Sequence, residues 1–318
     1  GAFAIGLQID RHVTRVLAVD LMGNIRARAD ANLPSHGPAA GVATILQLIA
    51  DVRNRLKTVS DQSEQRLVGL GAAMPGPFGI EGSGDDPWMM AAWQKFPLVQ
   101  ELAAGTGLDV VLQNDAAACA IAERMVGAAH GLDHVVCLYL GYGIGAGLIL
   151  GGELYSGANG NAGEIGMALL FKGDRTAALE HRASLASLYQ HLGIDPWQAG
   201  VYQRIGKLAE ADDPRILAWI EHAAVDLRWS IHLIETVFDP QTVILCGGSP
   251  APLAERLIKA IEPLLSSNAD RPGRILPRLQ LGMTDPWAVA LGAAAEPIGR
   301  AFDPRFSAIL KGEFRRSS

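Results

Sequence analysis

Short apolar stretches separated by turns open the chain and predict three successive β-strands. These strands cover Phe3–Ile9, Thr14–Leu21 and Ile25–Leu33, and residues 22–24 form the turn between the second and the third. The next segment carries apolar residues at helical spacing, which predicts a helix from about Pro38 to Lys57. The opening pattern therefore indicates an α/β protein.

Two more strands and one helix complete the first half. The strands are predicted at Arg66–Met74 and Asp109–Asn114, and the helix between them at Pro97–Gly107. Three strands, helix, strand, helix, strand is the order of an actin/hexokinase-type domain. The order then repeats in outline without any repeat of sequence.

The second half begins with a helix from Asp115 to about Gly127. Strands are predicted at His134–Leu140, Ile144–Leu150, Thr242–Gly248 and near Ile275–Leu281, and helical segments at about Thr176–Trp229 (the last helix continuing to Phe238), at Pro250–Leu265 and from Trp287. We therefore expect an actin/hexokinase-like (ribonuclease H-like) α/β fold with two domains and an inter-domain cleft. The predicted domains are 1–114 plus about 296–318, and 115–295.

Composition restricts the classes of function. The 318 residues exceed the usual size of one core, and the net charge of −6 argues against a nucleic-acid-binding surface. Cys119, Cys137 and Cys246 lie in apolar runs and are predicted to be buried free thiols. No apolar run is long enough to span a membrane and no secretion signal is visible, so a cytoplasmic protein is expected.

Polar motifs follow several of the predicted strands. Asn114-Asp115 stands at a strand-to-helix junction within QNDAAACAIAE, where Asp115 is also a good helix N-cap. Ala162–Gly166 reads AGEIG, and Leu179-Glu180 is followed by Ala183-Ser184. These motifs, together with Pro75-Gly76-Pro77, resemble those of the ROK family (repressors, open reading frames, kinases) over essentially the whole chain from Phe3 to about Ala295.

The resemblance implies a sugar site. Its candidate ligands are Asn114, Asp115, Glu164, Glu180 and Gly76, since carboxylates and amides together can accept from and donate to sugar hydroxyls. In the kinases of the family, the residue matched by Asp115 is the general base that takes the proton of the attacking hydroxyl. In a binding-only site the same carboxylate would simply accept a hydrogen bond.

The glycine-rich stretch LGYGIGAG resembles the second phosphate loop of the family. Gly141, Gly143 and Gly145 are its phosphate-loop-like glycines, because glycine allows a close approach of the backbone to phosphate. The family has Thr or Ser where this chain has Tyr142. A glycine-rich hairpin that binds no phosphate is the alternative interpretation.

The first phosphate loop departs further from the family. The pattern G-x-D-x-G-G-T-K, matched from Gly6, places Gln8 at the Asp that organises Mg²⁺. Asp10 and Arg11 stand at the two glycines, with His12 and Val13 at the Thr and Lys. Because phosphoryl transfer depends on such electrostatic groups, the changes argue against an efficient kinase.

The metal and the wall of the site also differ. Met167 replaces the family histidine that contacts sugar and ligates zinc, and 167–180 contains no Cys or His, so no zinc is expected. The stretch PWMMAAW, with Trp88, Met89, Met90 and Trp93, is more apolar than usual. It either packs on its own domain or favours a ligand with an apolar substituent, such as an acetamido or deoxy sugar.

Three functions remain, in order of preference. The first is the sugar-binding effector and dimerisation part of a ROK-type transcriptional regulator, in which sugar-driven domain closure acts on a separate or missing N-terminal DNA-binding domain. The second is an ATP- and Mg²⁺-dependent kinase of a hexose or N-acetylhexosamine, with Asp115 as base. The third is a degenerate member with a protein-interaction role. The resemblance suggests a homodimer or a dimer of dimers, no cofactor for the regulator, and no membrane partner.

Overall fold

The computed structural model describes residues 1–33, 37–59, 61–79, 90–172, 175–196 and 198–302. The chain divides into two compact units. The first comprises Gly1–Met74, Ala92–Gln113 and the C-terminal part from Ala290, and the second comprises Pro75–Ala91 and Asn114–Val289.

The elements alternate between strands and helices along the whole chain. The strands are β1 (Phe3–Ile9), β2 (Val13–Asp20), β3 (Ile25–Asn32), β4 (Leu67–Met74), β5 (Val110–Asn114), β6 (Val135–Leu140), β7 (Ile144–Leu150), β8 (Glu153–Leu154), β9 (Leu169–Lys172), β10 (Arg175–Ala178), β11 (Thr242–Gly247) and β12 (Leu279–Leu281). The helices are α1 (Pro38–Val59), α2 (Ala91–Gln94), α3 (Leu98–Thr106), α4 (Asp115–Val126), α5 (Glu180–Ala183), α6 (Leu185–Leu192), α7 (Val201–Glu210), α8 (Pro214–Phe238), α9 (Ala251–Ile261) and α10 (Ala288–Phe302).

The two units repeat one sheet topology. The strand order is β3-β2-β1-β4-β5 in the first unit and β12-β11-β6-β7-β8 in the second. In each, an antiparallel meander of three strands is extended by a strand that pairs in parallel with the first strand of the meander, β4 with β1 and β11 with β6. The predicted duplication of topology is therefore present.

Two glycines allow α10 to lie directly on the sheet of the first unit. A Cβ at Gly6 on β1 would overlap the carbonyl oxygen of Ala290, and a Cβ at Gly71 on β4 would overlap that of Ala293. Both carbonyls belong to backbone that cannot move without shifting the helix. The contact therefore requires the absence of a side chain at these two strand positions.

Helix α8 runs through the core of the second unit. Trp219, Ile220, Ala223 and Leu227 on this helix are buried and join one apolar cluster with β6, β7 and β11. The indole Nε1 of Trp219 donates to Oγ of Ser187 on α6 at 3.0 Å, so the buried ring keeps a hydrogen-bond partner.

Two predicted segments differ from the observed elements. The helical region expected from Thr176 is wrong at its start, because β9 and β10 form a two-stranded antiparallel sheet and helix begins only at Glu180. The helix expected to reach Leu265 ends at Ile261, two residues before Pro263. Proline disfavours helical backbone at the residue before it, which accounts for the early end.

The three cysteines are buried free thiols, as predicted. Although they are distant in sequence, the Sγ atoms of Cys119 on α4 and Cys246 on β11 lie 3.5 Å apart. Within the described residues, no helix combines the length and apolar character that a membrane span requires.

We expect Gly6→Ala to destabilise the first unit by about 1–3 kcal/mol, because the new methyl group must displace the backbone of α10. The midpoint of urea unfolding would measure this change. Gly299→Ala is the matched control, since a Cβ at Gly299 on the same helix meets no atom within 4 Å. That control should be neutral or stabilising by up to about 1 kcal/mol, and equal midpoints for the two variants would contradict the close contact.

Candidate functional site

The junction of β5 and α4 places the first of the predicted ligands. The side-chain oxygen of Asn114 accepts from the backbone N–H groups of Ala116 at 2.8 Å and Ala117 at 3.2 Å. Asn114 is therefore the N-cap, and the expectation that Asp115 has this role is wrong. Asp115 is the first helical residue, and its Oδ1 accepts from Ala116 N at 2.8 Å.

The same Asn114 amide reaches the second predicted ligand. Its Nδ2 donates to Oε1 of Glu164 at 3.2 Å, joining two residues that are 50 positions apart in sequence. The two ends of one amide thus contact the start of α4 and the carboxylate of Glu164. This contact fixes the orientation of the amide.

The loop that carries Glu164 is pinned to β7. The backbone N–H of Ala146 donates to the carbonyl of Gly163 at 2.7 Å. Gly163 has a φ of +89°, and a Cβ there would overlap the carbonyl oxygen of Ala146. Only glycine suits both the left-handed backbone and the close approach, so the AGEIG motif has a local structural reason beside any role in binding.

Glu164 has an unusual charge state. Burial raises its pKa from 4.5 to about 7, and the negative charges of Asp115 and Glu180 add to the increase. Three carboxyl groups from three separate parts of the second unit thus converge. Near neutral pH the Glu164 carboxyl can exist in either protonation state, so it can accept from or donate to a ligand hydroxyl.

Gly76 lies against the Asn114–Glu164 pair. A Cβ at Gly76 would overlap Oε1 of Glu164 and would lie 2.9 Å from Nδ2 of Asn114. Any other residue at this position would push the carboxylate or the amide aside. The structure therefore brings Gly76, Asn114 and Glu164 together, as the sequence motifs suggested.

Asn161 contributes a contact that sequence reasoning missed. Its Oδ1 accepts from the backbone N–H of Phe78 at 2.7 Å, and its Nδ2 donates to the carbonyl of Phe78 at 2.8 Å. The two residues are 83 positions apart, and both hydrogen bonds are made to backbone atoms of Phe78. No sequence pattern identifies such a partner.

Glu180 begins α5 and adjoins the glycine-rich turn between β6 and β7. A Cβ at Gly143 would lie 2.8 Å from Oε2 of Glu180, and one at Gly166 would lie 3.3 Å from its Cβ. The predicted sugar ligand and the predicted phosphate-loop glycine are thus immediate neighbours. His181, the next residue, is exposed.

The glycine-rich turn is tied to α6. Its Gly141 N–H donates to the carbonyl of Gly143 at 3.0 Å, and the carbonyls of Gly141 and Tyr142 accept from Leu185 N at 3.0 Å and Ala186 N at 3.1 Å. The first amides of α6 therefore bind protein oxygens. The Tyr142 ring lies 6.3 Å from that of Tyr189 on α6, measured between centroids.

Gly145 has a packing reason of its own. A Cβ there would lie 2.8 Å from Cβ of Ala116, and one at Gly147 would overlap Cβ of Ala120. Both alanines belong to α4, so these glycines let α4 approach β7 closely. Packing of α4 on β7 therefore explains these two glycines of the phosphate-loop-like pattern.

The predicted apolar wall is only partly described. Trp88 and Met89 lie outside the described residues, and Met90 is buried. The ring of Trp93 lies where a Cβ at Gly41 on α1 would be, at 2.5 Å, so Trp93 packs within the first unit. Within the described ranges no group of three or more His, Cys, Asp and Glu residues is arranged to hold a metal ion.

The segment matched to the first phosphate loop lies in the first unit. Gln8 is buried, and its Oε1 accepts from Nη1 of Arg15 at 3.1 Å. The turn that follows closes on itself, because Asp10 N donates to the carbonyl of Val13 at 2.9 Å and Arg11 N donates to Oδ1 of Asp10 at 2.7 Å. Protein oxygens thus occupy the backbone donors of Asp10 and Arg11.

The two repeated sheets with their helices define an α/β protein of the actin/hexokinase class. Residues 4–295 match the ROK family, and the chain therefore belongs to it. The ROK glucokinase of Streptomyces griseus, solved in complex with glucose and AMPPNP, superposes with a TM-score of 0.74 at 23% identity, over 93% of this chain and 99% of that one. The predicted α/β fold is confirmed.

Two relatives match this chain at similar sequence identity. The protein y4fQ of Sinorhizobium fredii is 27% identical over 318 residues, which cover 98% of this chain and 75% of that protein. The xylose repressor of Bacillus subtilis is 26% identical over 252 residues, which cover 76% of this chain and 63% of the repressor. The family thus includes both kinase and repressor relatives of this chain.

We expect Glu164→Gln to stabilise the protein at pH 8, on the order of 2 kcal/mol, and to leave stability nearly unchanged at pH 4.5. Folding raises the pKa of Glu164 from 4.5 to about 7, so the folded chain binds this proton more tightly than the unfolded chain. Ionisation between these values therefore costs folding stability, and the amide avoids that cost.

Urea unfolding at the two pH values would measure this difference, with Glu255→Gln as the control because Glu255 is an exposed acid on α9 of the same unit. A Glu164→Gln variant that is less stable than the parent protein at pH 8 would show that the ionised carboxylate stabilises the fold.

Proposed function

We propose that this chain is the sugar-binding effector and dimerisation part of a ROK-type transcriptional regulator and that it lacks efficient kinase activity. The observation that carries the proposal is the pairing of Gln8 with Arg15 at the position where kinases of the family place the aspartate that organises Mg²⁺.

Electrostatics at Gln8 disfavours magnesium. The carboxamide carries no charge, and its oxygen already accepts from a guanidinium. The Arg15 guanidinium beside it would repel a divalent cation. The replacement of aspartate thus removes an attraction and adds a repulsion, which supports the absence of the metal-dependent step.

The backbone of the same turn also disfavours phosphate. A phosphate loop binds its ligand through backbone N–H groups that point at the anion. Here the N–H groups of Asp10 and Arg11 donate to Val13 and to the Asp10 carboxylate. A phosphate would have to displace these contacts and to approach a carboxylate.

The residues proposed to bind sugar keep the polar groups that such a site needs. Asn114, Glu164 and Gly76 are in contact, and the Asp115 and Glu180 carboxyls lie close enough to affect the charge of Glu164. Such a set offers an amide together with carboxyl oxygens, which suits a ligand with several adjacent hydroxyl groups. A sugar or sugar derivative is therefore the proposed effector.

The proposed assembly follows the regulator branch of the family. We propose a homodimer, or a dimer of such dimers, that works without zinc or another cofactor in the cytoplasm, with DNA contacted only through a separate DNA-binding domain. The match to a xylose repressor over 76% of this chain supports this branch.

A sugar kinase is the alternative. The likeness to a glucokinase solved with glucose and AMPPNP favours it, as does Asp115 beside Glu164. In that case Asp115 would take the proton of the attacking hydroxyl, and ATP with Mg²⁺ would bind through an atypical loop.

We expect calorimetric titration with D-xylose, D-glucose and N-acetyl-D-glucosamine to show binding of at least one sugar with an affinity that MgATP leaves unchanged. Asn114→Ser should weaken that sugar at least tenfold, since serine keeps a cap for α4 but cannot donate to Glu164. Asn268→Ala, at an exposed asparagine of the same unit, is the control. If Asn114→Ser binds the sugar with unaltered affinity, the assignment of the sugar site to Asn114 and Glu164 is wrong.

A coupled assay for ADP release separates the two functions. The regulator predicts no sugar-dependent ADP formation at millimolar MgATP. Sugar-dependent ADP formation that disappears in Asp115→Asn would establish the kinase instead, because that variant keeps the shape of the side chain and loses the base.

A further inference from the structure

The turn at Pro75–Gly79 has two attachments that lie on opposite sides of Pro77. Before it, Gly76 lies so close to Glu164 and Asn114 that a Cβ there would overlap Oε1 of Glu164 and lie 2.9 Å from Nδ2 of Asn114. Two residues later, Phe78 exchanges two backbone hydrogen bonds with the side chain of Asn161, at 2.7 and 2.8 Å. All of these residues belong to the second unit.

The Asn161 amide matches this backbone geometry closely. One carboxamide supplies one acceptor and two donors, and here it satisfies both the N–H and the C=O of a single residue, as a neighbouring β-strand would. Alanine at position 161 would leave both partly buried backbone groups of Phe78 without these partners, which is unfavourable unless the turn opens to water.

We propose that Asn161 is a positioning residue that holds the Pro75–Gly79 turn against the Asn114–Glu164 pair and thereby closes one side of the sugar site. Asn161 itself need not contact the sugar. It acts through the turn, which keeps the backbone of Gly76 over the Glu164 carboxylate and excludes water from it. We call the two hydrogen bonds between Asn161 and Phe78 the clamp. Its role in ligand binding rests on the proposed function, whereas the clamp itself does not.

The charge state of Glu164 reports whether the turn is closed. The groups that raise its pKa besides burial are Asp115 at the start of α4 and Glu180 at the start of α5, and a change at Asn161 alters neither. Asn114 also donates to Glu164, and it does so from the start of α4 and not from the turn. Release of the turn would therefore act mainly on the burial of the carboxylate.

The experiment is a pH titration of glutamate side-chain carboxyl ¹³C signals, with the Glu164 signal identified by its loss in Glu164→Gln. The parent protein should titrate at about pH 7 at this position. Asn161→Ala should lower the midpoint by roughly one pH unit, because water reaches the carboxylate. Asn159→Ala, at an exposed asparagine of the same loop, should leave it unchanged.

A second variant guards against loss of the fold. Asn161→Leu keeps the approximate size of the side chain, adds no charge and loses both hydrogen bonds to Phe78, so the midpoint should move in the same direction. If both variants melt cooperatively, as followed by circular dichroism, and titrate at the parent midpoint, the clamp is refuted.

Titration with the same three sugars then tests the link to function. If the parent protein binds one of them, Asn161→Ala should raise its Kd about tenfold, whereas Asn159→Ala should not. An unchanged Kd beside a lowered midpoint would show that the clamp exists but does not form a wall of the site, which overturns the proposal. Absence of binding by the parent protein to any sugar would count against the proposed function, and the carboxyl titration would still decide the clamp.

Discussion

One carboxamide, that of Asn114, connects the architecture of the second unit to its candidate chemistry. Its oxygen caps α4, and its nitrogen donates to Glu164, so the beginning of a helix and the orientation of a carboxylate depend on the same side chain. An aspartate would cap the helix equally well but would repel the carboxylate, and a serine could not reach it. Asparagine alone among the good N-caps suits both contacts.

Two different constraints require glycine in this chain, close packing of a helix on a sheet and close approach to the candidate site. The sequence alone does not distinguish them. Gly145 and Gly147 allow α4 to pack on β7, just as Gly6 and Gly71 allow α10 to pack on the sheet of the first unit. The atoms nearest to a Cβ at Gly76, in contrast, belong to the Glu164 carboxyl and the Asn114 amide of the candidate site. The phosphate-loop pattern therefore overstates the evidence for phosphate, since part of it is required by the packing of the fold itself.

Most strands and helices could be predicted from the sequence, because their apolar residues recur with a clear period. It failed at β9 and β10, where Leu169–Lys172 and Arg175–Ala178 are too short to show a period and the small residues Thr176-Ala177-Ala178 suit a helix as well. Motifs located Asn114, Glu164 and Gly76, but the contact of Asn161 is made to backbone atoms. A contact to backbone atoms does not depend on the residue type of the partner, so it can be recognised only in the folded structure.

The proposed role as a sensor needs a group whose charge state depends on the ligand, and the buried Glu164 carboxyl is the candidate. Burial raises the pKa of this group to about 7, and the negative charges of Asp115 and Glu180 add to the increase. In the proposed site, a sugar hydroxyl that donates to the carboxylate would favour its ionised form. Binding would then release a proton and offset part of the unfavourable energy of burial. A regulator can use that energy to favour one conformation, and this requires neither Mg²⁺ nor a phosphate loop.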